Sequence, residues 1–161
     1  MNIHASDTKS IDAIDKRILR IIQQDAGRSL SEIATQVGLS QTPCWKRLRR
    51  LAASGVIKRR VVLLDQKKLG LGTTVFVSLQ IGDHSSKEVE RFAKDVAAME
   101  EVMDFYRLAG DVDYVLRVVV ADAAAFDAFY KRLIGLTSLK TVTSRFALEN
   151  IKSETALPIK D

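Results

Sequence analysis

Along the chain, the spacing of apolar residues changes from a helical period to a strand period. Ile11, Ile14, Ile18, Ile21 and Ile22 recur three and four residues apart, which predicts an amphipathic helix over residues 11–25 that stops near Gly27. Ile33, Ala34 and Val37 mark one side of a short second helix, and Ser29 with Glu32 forms the S-x-x-E capping box at its start. Gly38 falls where that helix must end and turn, a position that favours a residue tolerant of positive φ. Ser40 is placed to cap a third helix, with Pro43 in the first turn, where a missing N–H costs little. Cys44, Leu48 and Leu51 at i, i+4, i+7 are its buried stripe. Residues Gly55–Leu64 (GVIKRRVVLL), rich in β-branched and basic side chains, predict a strand leaving the helices. Asp65–Gly72 (DQKKLGLG) reads as a linker.

Beyond the linker the period is two. Thr73–Ile81 alternates, with Val75, Val77, Leu79 and Ile81 on one face. Val89, Phe92, Val96 and Met99 predict a helix, Val102–Leu108 and Tyr114–Val120 two strands joined by a tight AGDVD turn, and Phe126, Phe129, Tyr130 and Leu133 a second helix. Val142–Ile151 predicts a closing strand. The order β-α-β-β-α-β is the ferredoxin-like pattern. The fold class is therefore α+β: an N-terminal helix-turn-helix of winged-helix type followed by a ferredoxin-like domain. The expected organisation is a flexible arm over 1–10, a helix-turn-helix over 11–57, a strand and linker over 58–72, and the ferredoxin-like domain over 73–161. Helices cover one face of such a sheet; the other, carrying Phe76, Arg117 and Arg145, is left for a partner, most simply a second copy.

Charge sharpens the reading of the first three helices. Residues 1–60 hold 12 Lys or Arg against 5 Asp or Glu, whereas residues 61–161 hold 13 against 15. The overall +5 thus conceals a basic module joined to a slightly acidic one, the footprint of a part that meets phosphate and a part that does other work. A small-residue helix crossing a basic helix through a glycine turn fits a DNA major groove. The residues off the buried stripe, Gln41, Thr42, Trp45, Lys46, Arg49 and Arg50, with Ser40 at the helix start, are the candidate DNA contacts. Lys58, Arg59 and Arg60 are further phosphate contacts or a solvated strand edge. Trp45 packs against either the DNA backbone or the following strand. Cys44, on the buried stripe, reads as a small packing residue, with a redox sensor as the competing role.

Other chemistry finds little support. No apolar run has the length of a membrane span, and the N-terminus lacks the apolar core of a signal peptide. One cysteine forms no intrachain disulfide and suits a reducing cytoplasm. His4, in the arm, and His84, in a loop, are with Cys44 too few for an ordinary zinc site, so neither metal nor cofactor is expected.

The stretches LSQTPCWKRLRRLAASGVI (39–57), AGDVDYVLRVVVAD (109–122) and FALENIKSETALPI (146–159) together resemble the Lrp/AsnC, or feast/famine, family of transcriptional regulators, over nearly the whole chain from about Ile11. The helix-turn-helix is shared by many families; its pairing with the Gly110-Asp111-x-Asp113-Tyr114 turn is much more specific. The TPCWKRL and VAD-x-x-x-FDAFYKRL wording resembles a branch that includes regulators of cysteine catabolism. The resemblance implies a double-stranded DNA operator and a ligand-sensing C-terminal (RAM) domain that binds a small amino acid. Cysteine is then the first candidate, and leucine or another aliphatic amino acid the second. It further implies a homodimer that assembles to a higher oligomer, commonly an octamer, with the effector between dimers near the turn and final strand. On this chain that points to Leu108, Gly110, Asp111, Asp113, Tyr114, Thr143, Ser144 and Phe146. Asp111 or Asp113 suits an ammonium group, and the turn N–H groups with Thr143 and Ser144 suit a carboxylate. Read without the resemblance, the same residues are ordinary turn and strand-edge chemistry. Two other functions fit the two-domain plan: a sirohaem-decarboxylase-like enzyme, which needs histidines or arginines around a large cofactor pocket, and an architectural DNA-binding protein with no effector.

Overall fold

The structure, a computed structural model, describes residues 10–82 and 86–160; the expected N-terminal arm with His4, and His84, lie outside the described residues. The chain forms two compact units: a helical one up to Leu63, which the chain rejoins from Lys152, and a sheet unit, Leu64–Ile151.

In the helical unit, α1 (Ala13–Gln24), α2 (Leu30–Val37) and α3 (Gln41–Ala53) close over Ile18, Ile33, Ala34, Val37, Cys44 and Leu51. Asp12 caps α1 reciprocally with Asp15, and Ser29 caps α2 reciprocally with Glu32. Gly38 has φ +73, and just beyond it the Leu39 N–H returns to the Ala34 carbonyl at 2.9 Å, so the turn into α3 is a left-handed glycine stop. Ser40 occupies the N-cap position of α3, but its side chain makes no capping hydrogen bond, unlike the sequence expectation.

The strand expected over Gly55–Leu64 does not form. Gly55, at φ +76, turns the chain out of α3, and residues 58–65 have no regular structure. The β-branched run has the propensity for a strand, but no ladder partner among the described residues satisfies its backbone, and Val62 stands 83% exposed. The C-terminal tail, which the sequence groups with the second domain, returns to α1. There the Gln23 side chain accepts from the Leu157 N–H at 2.9 Å and donates to its carbonyl at 3.0 Å, while Arg20 Nε donates to the Ile159 carbonyl at 3.0 Å.

The sheet unit contains β1 (Thr73–Ile81), α4 (Ser86–Ala97), β2 (Val102–Arg107), β3 (Tyr114–Val120), α5 (Ala123–Ile134) and β4 (Leu139–Phe146). The strand order is β2-β3-β1-β4 with every neighbour antiparallel, as the β-α-β-β-α-β reading requires. Alternate residues Val75, Val77, Leu79, Leu116 and Val118 meet Phe92, Val96, Phe129 and Leu133 of the two helices in the core. The last strand begins earlier and ends earlier than Val142–Ile151. Leu139 already pairs with Ile81, and past Phe146 the ladder ends with the Ala147 N–H on the Thr74 carbonyl, because β1 itself begins at Thr73. On the open face Phe76 lies opposite both Arg117 and Arg145, with Arg117 paired to Asp104 and Arg145 bonded to the Ser78 hydroxyl at 3.0 Å.

Candidate functional site

Each residue turns a helix by about 100°, so burying Cys44, Leu48 and Leu51 sends Gln41, Thr42, Trp45, Lys46 and Arg49 outward, and all five are exposed. Trp45, 46% exposed, carries the Arg49 guanidinium 5.0 Å from its ring centroid. A flat apolar plate with a cation stacked on it is thus held ready on the outward face. Lys58, Arg59 and Arg60 are exposed on the chain that leaves α3.

Arg50 departs from the sequence expectation. It is half-buried and donates to the Asp15 carboxylate, so it does not stand free on the basic face. Arg47, which the sequence reading did not single out, donates to Asp15 at 2.8 Å and to Asp12 at 2.6 Å. Asp15 is fully buried, with one carboxylate oxygen bonded to each arginine. Burial pushes its carboxyl pKa up, but the hydrogen bonds from Arg50 and Arg47 outweigh that and hold it below the ordinary value. Asp12 is lowered too, first by the Asp15 N–H and then by Arg47, and Arg47 is raised by its two carboxylate partners. The signal for this cluster was a charged residue one turn before Ile18, on the side of α1 that faces the core. Burial raises the Cys44 thiol, and the nearby Arg47 charge offsets part of that.

The β2–β3 turn is closed by backbone: the Leu108 N–H donates to the Asp113 carbonyl at 2.8 Å, and the Asp113 N–H to the Leu79 carbonyl at 2.9 Å. The Asp113 carboxylate accepts from the Ile81 N–H at 2.8 Å, tying the turn to β1. Gln80 donates to the Asp111 carbonyl, and the Asp111 side chain stands in solvent. Leu108 and Gly110 are also exposed; Gly110 has φ +155 and open space where a Cβ would stand. Tyr114 turns inward, its ring 5.1 Å from Phe105 and 6.0 Å from Phe92. Ser144 and Phe146, opposite Val77 and Val75, share that helix-covered face, and Phe146 sets its ring 5.1 Å from Phe126. Thr143, opposite Ser78, lies on the open face. Adjacent strand residues face opposite sides of a sheet. One subunit therefore brings Leu108, Gly110 and Asp111 together at the turn but does not join Thr143 to Ser144 in one pocket.

Among the described residues no cluster of His, Cys, Asp and Glu could hold a metal ion, and no helix is long and apolar enough to cross a membrane.

Residues 11–58 match a winged helix-turn-helix DNA-binding family model, and residues 74–157 match the Lrp/AsnC ligand binding domain. The chain is 48% identical over 151 residues to the DNA-binding transcriptional activator DecR of Escherichia coli, covering 93% of this chain and 99% of that protein. It is 42% identical to a glutamate uptake regulatory protein of Zymomonas mobilis, covering 95% of this chain and 93% of that protein. An AsnC family transcriptional regulator from Agrobacterium tumefaciens superposes with a TM-score of 0.89 at 50% identity, covering 91% of this chain and 96% of that one. A transcriptional regulator from Neisseria meningitidis, solved in complex with L-methionine, gives 0.88 at 30% identity, covering 92% and 97%.

Proposed function

The chain belongs to the Lrp/AsnC family of DNA-binding transcriptional regulators, and from that premise we propose that it lays the outward face of α3 in a DNA groove in response to a small amino acid. The observation that carries the DNA reading is the division of α3: Cys44, Leu48 and Leu51 packed, Arg47 and Arg50 bound to carboxylates, and Gln41, Thr42, Trp45, Lys46 and Arg49 left outward. Gln41, Thr42 and Trp45, close to the helix start at Ser40, suit base edges, while Lys46, Arg49 and Arg59 suit phosphates.

The effector reading rests on the match to a ligand-binding domain and on the L-methionine complex of the Neisseria regulator. The exposed Asp111 carboxylate faces the ammonium group, and the backbone about Gly110 supplies room and N–H donors. Thr143 and Ser144 face opposite sides of one sheet, so a second subunit completes the pocket, as in an effector site between dimers. The open face with Phe76 pairs two subunits, dimers assemble further, and the operator has matching two-fold symmetry. The setting is cytoplasmic and the role non-enzymatic; cysteine is the first effector candidate and leucine or another aliphatic amino acid the second.

A thermal-shift screen of the twenty amino acids, repeated as DNA-affinity and light-scattering measurements on the hits, tests this. One or a few amino acids should stabilise the protein, by about 2.7 kcal/mol at a hundredfold excess over Kd, and the same ones should change operator affinity or assembly. No response to any amino acid, or a monomer at micromolar concentration, contradicts the proposal.

A further inference from the structure

α3 carries four cations, and the structure divides them in two. Lys46 and Arg49 are exposed and make no ion pair among the described residues. Arg47 and Arg50 share two carboxylates, Asp12 and Asp15, in a cluster of two positive and two negative charges. Arg50 follows Lys46 by one helical turn and borders the outward face, close enough for a released side chain to serve the same phosphate track. We infer that Asp15, assisted by Asp12, withholds Arg47 and Arg50 from DNA phosphates and so keeps non-specific DNA binding low.

Phosphate contacts carry no sequence information, and each adds affinity for any duplex. A phosphate could recruit Arg50 only by stripping it from a carboxylate that is fully buried and uses both oxygens. That exchange leaves Asp15 charged and short of a partner in the interior, which costs more than a solvated phosphate contact returns. The restraint also fixes α3 against α1, since both arginines lie on one helix and both carboxylates at the start of the other. The helix can then meet a groove with Lys46 and Arg49 alone as its cations. The inference rests on the outward face of α3 being the DNA contact.

The test is the salt dependence of full-length protein binding a duplex of arbitrary sequence, read by fluorescence anisotropy from 50 to 200 mM salt. Lys46→Ala should flatten the slope of log K against log salt by about 0.9, the value of one phosphate. Arg50→Gln should leave it unchanged in the native background. Asp15→Asn should steepen it by about 0.9–1.8, for one or two released guanidiniums, and adding Arg50→Gln to Asp15→Asn should remove about half or more of that gain. If Arg50→Gln alone flattens the slope, Arg50 already touches phosphate and the inference is wrong. If Asp15→Asn folds with a native circular dichroism spectrum and an unchanged slope, it is wrong as well. Should Asp15→Asn not fold, the slope of Arg50→Gln decides alone. If Lys46→Ala leaves the slope unchanged, the outward face is not the contact, and the reading and the inference fall together; if Lys46→Ala flattens it and only the Asp15 and Arg50 variants disagree, the inference alone falls.

Discussion

Asp113 lies in the Gly-Asp-x-Asp turn where the effector is proposed to bind, yet its carboxylate already accepts the Ile81 N–H at 2.8 Å in a part-buried setting. Two substitutions separate a ligand role from this structural one. Asn keeps an oxygen of the same reach and loses the charge; Ala loses the acceptor and leaves the Ile81 N–H unsatisfied at the buried end of β1. A hydrogen bond to a charged group contributes about 1.5–3 kcal/mol, a neutral one about 1. Asp113→Ala should therefore destabilise the sheet unit by about 1.5–3 kcal/mol, a fall in melting temperature on the order of 10 °C for a domain of 60–100 residues. Asp113→Asn should cost about 1 kcal/mol. The Asp111 side chain is exposed and makes no such bond among the described residues, so Asp111→Asn should melt like the native protein yet lose affinity for the amino acid. Calorimetric melts with and without effector, followed by titration calorimetry, read both quantities. If Asp113→Ala melts with the native protein, the bond to Ile81 does not hold the turn; if Asp111→Asn binds effector normally while Asp113→Asn does not, the ammonium partner is Asp113 and the assignment is reversed.

Acid should weaken the helical unit, because Asp12 and Asp15 both have carboxyls held below their ordinary values in the folded chain. A lowered folded pKa gives stability that is complete above the unfolded value, about 3.9, and is lost as pH falls through the folded one; melts followed by circular dichroism from pH 7 down to 2 should show that loss, and Asp15→Asn should flatten it. Cys44 is buried with its thiol raised, so Cys44→Ala should cost on the order of 1 kcal/mol and leave DNA affinity near native. A mild oxidant that abolishes binding in the native protein but not in Cys44→Ala would make the thiol a sensor instead.

Periodicity carried most of the fold. The limits of β1 and β3 coincide with the expected strands 73–81 and 114–120, and α1 with the isoleucine stripe, to within two residues. Apart from the local Ser40 cap, which makes no hydrogen bond, what failed depended on a second element. Val61, Val62, Leu63 and Leu64 have apolar side chains but, among the described residues, no strand to pair with, and they lie exposed. The end of β4 is set by where β1 begins rather than by its own residues. Arg50 looks free on the wheel of α3 alone; its partner Asp15 comes from α1, thirty-five positions away in sequence. For the ligand turn, alternation already separates Thr143 from Ser144, but a resemblance that reads them as one contiguous segment conceals it. Gly38 and the Ser29–Glu32 capping box were legible because their interactions are local.

The outward face of α3 is the part of the protein proposed to meet DNA. The most direct measurement compares native protein with Lys46→Ala/Arg49→Ala on an operator duplex recovered by in vitro selection, with affinity followed across a salt series and folding checked by circular dichroism. Loss of two phosphate contacts predicts a native fold, weaker binding and a slope of log K against log salt shallower by about 1.8. Native affinity and an unchanged slope in the folded double variant would contradict the claim.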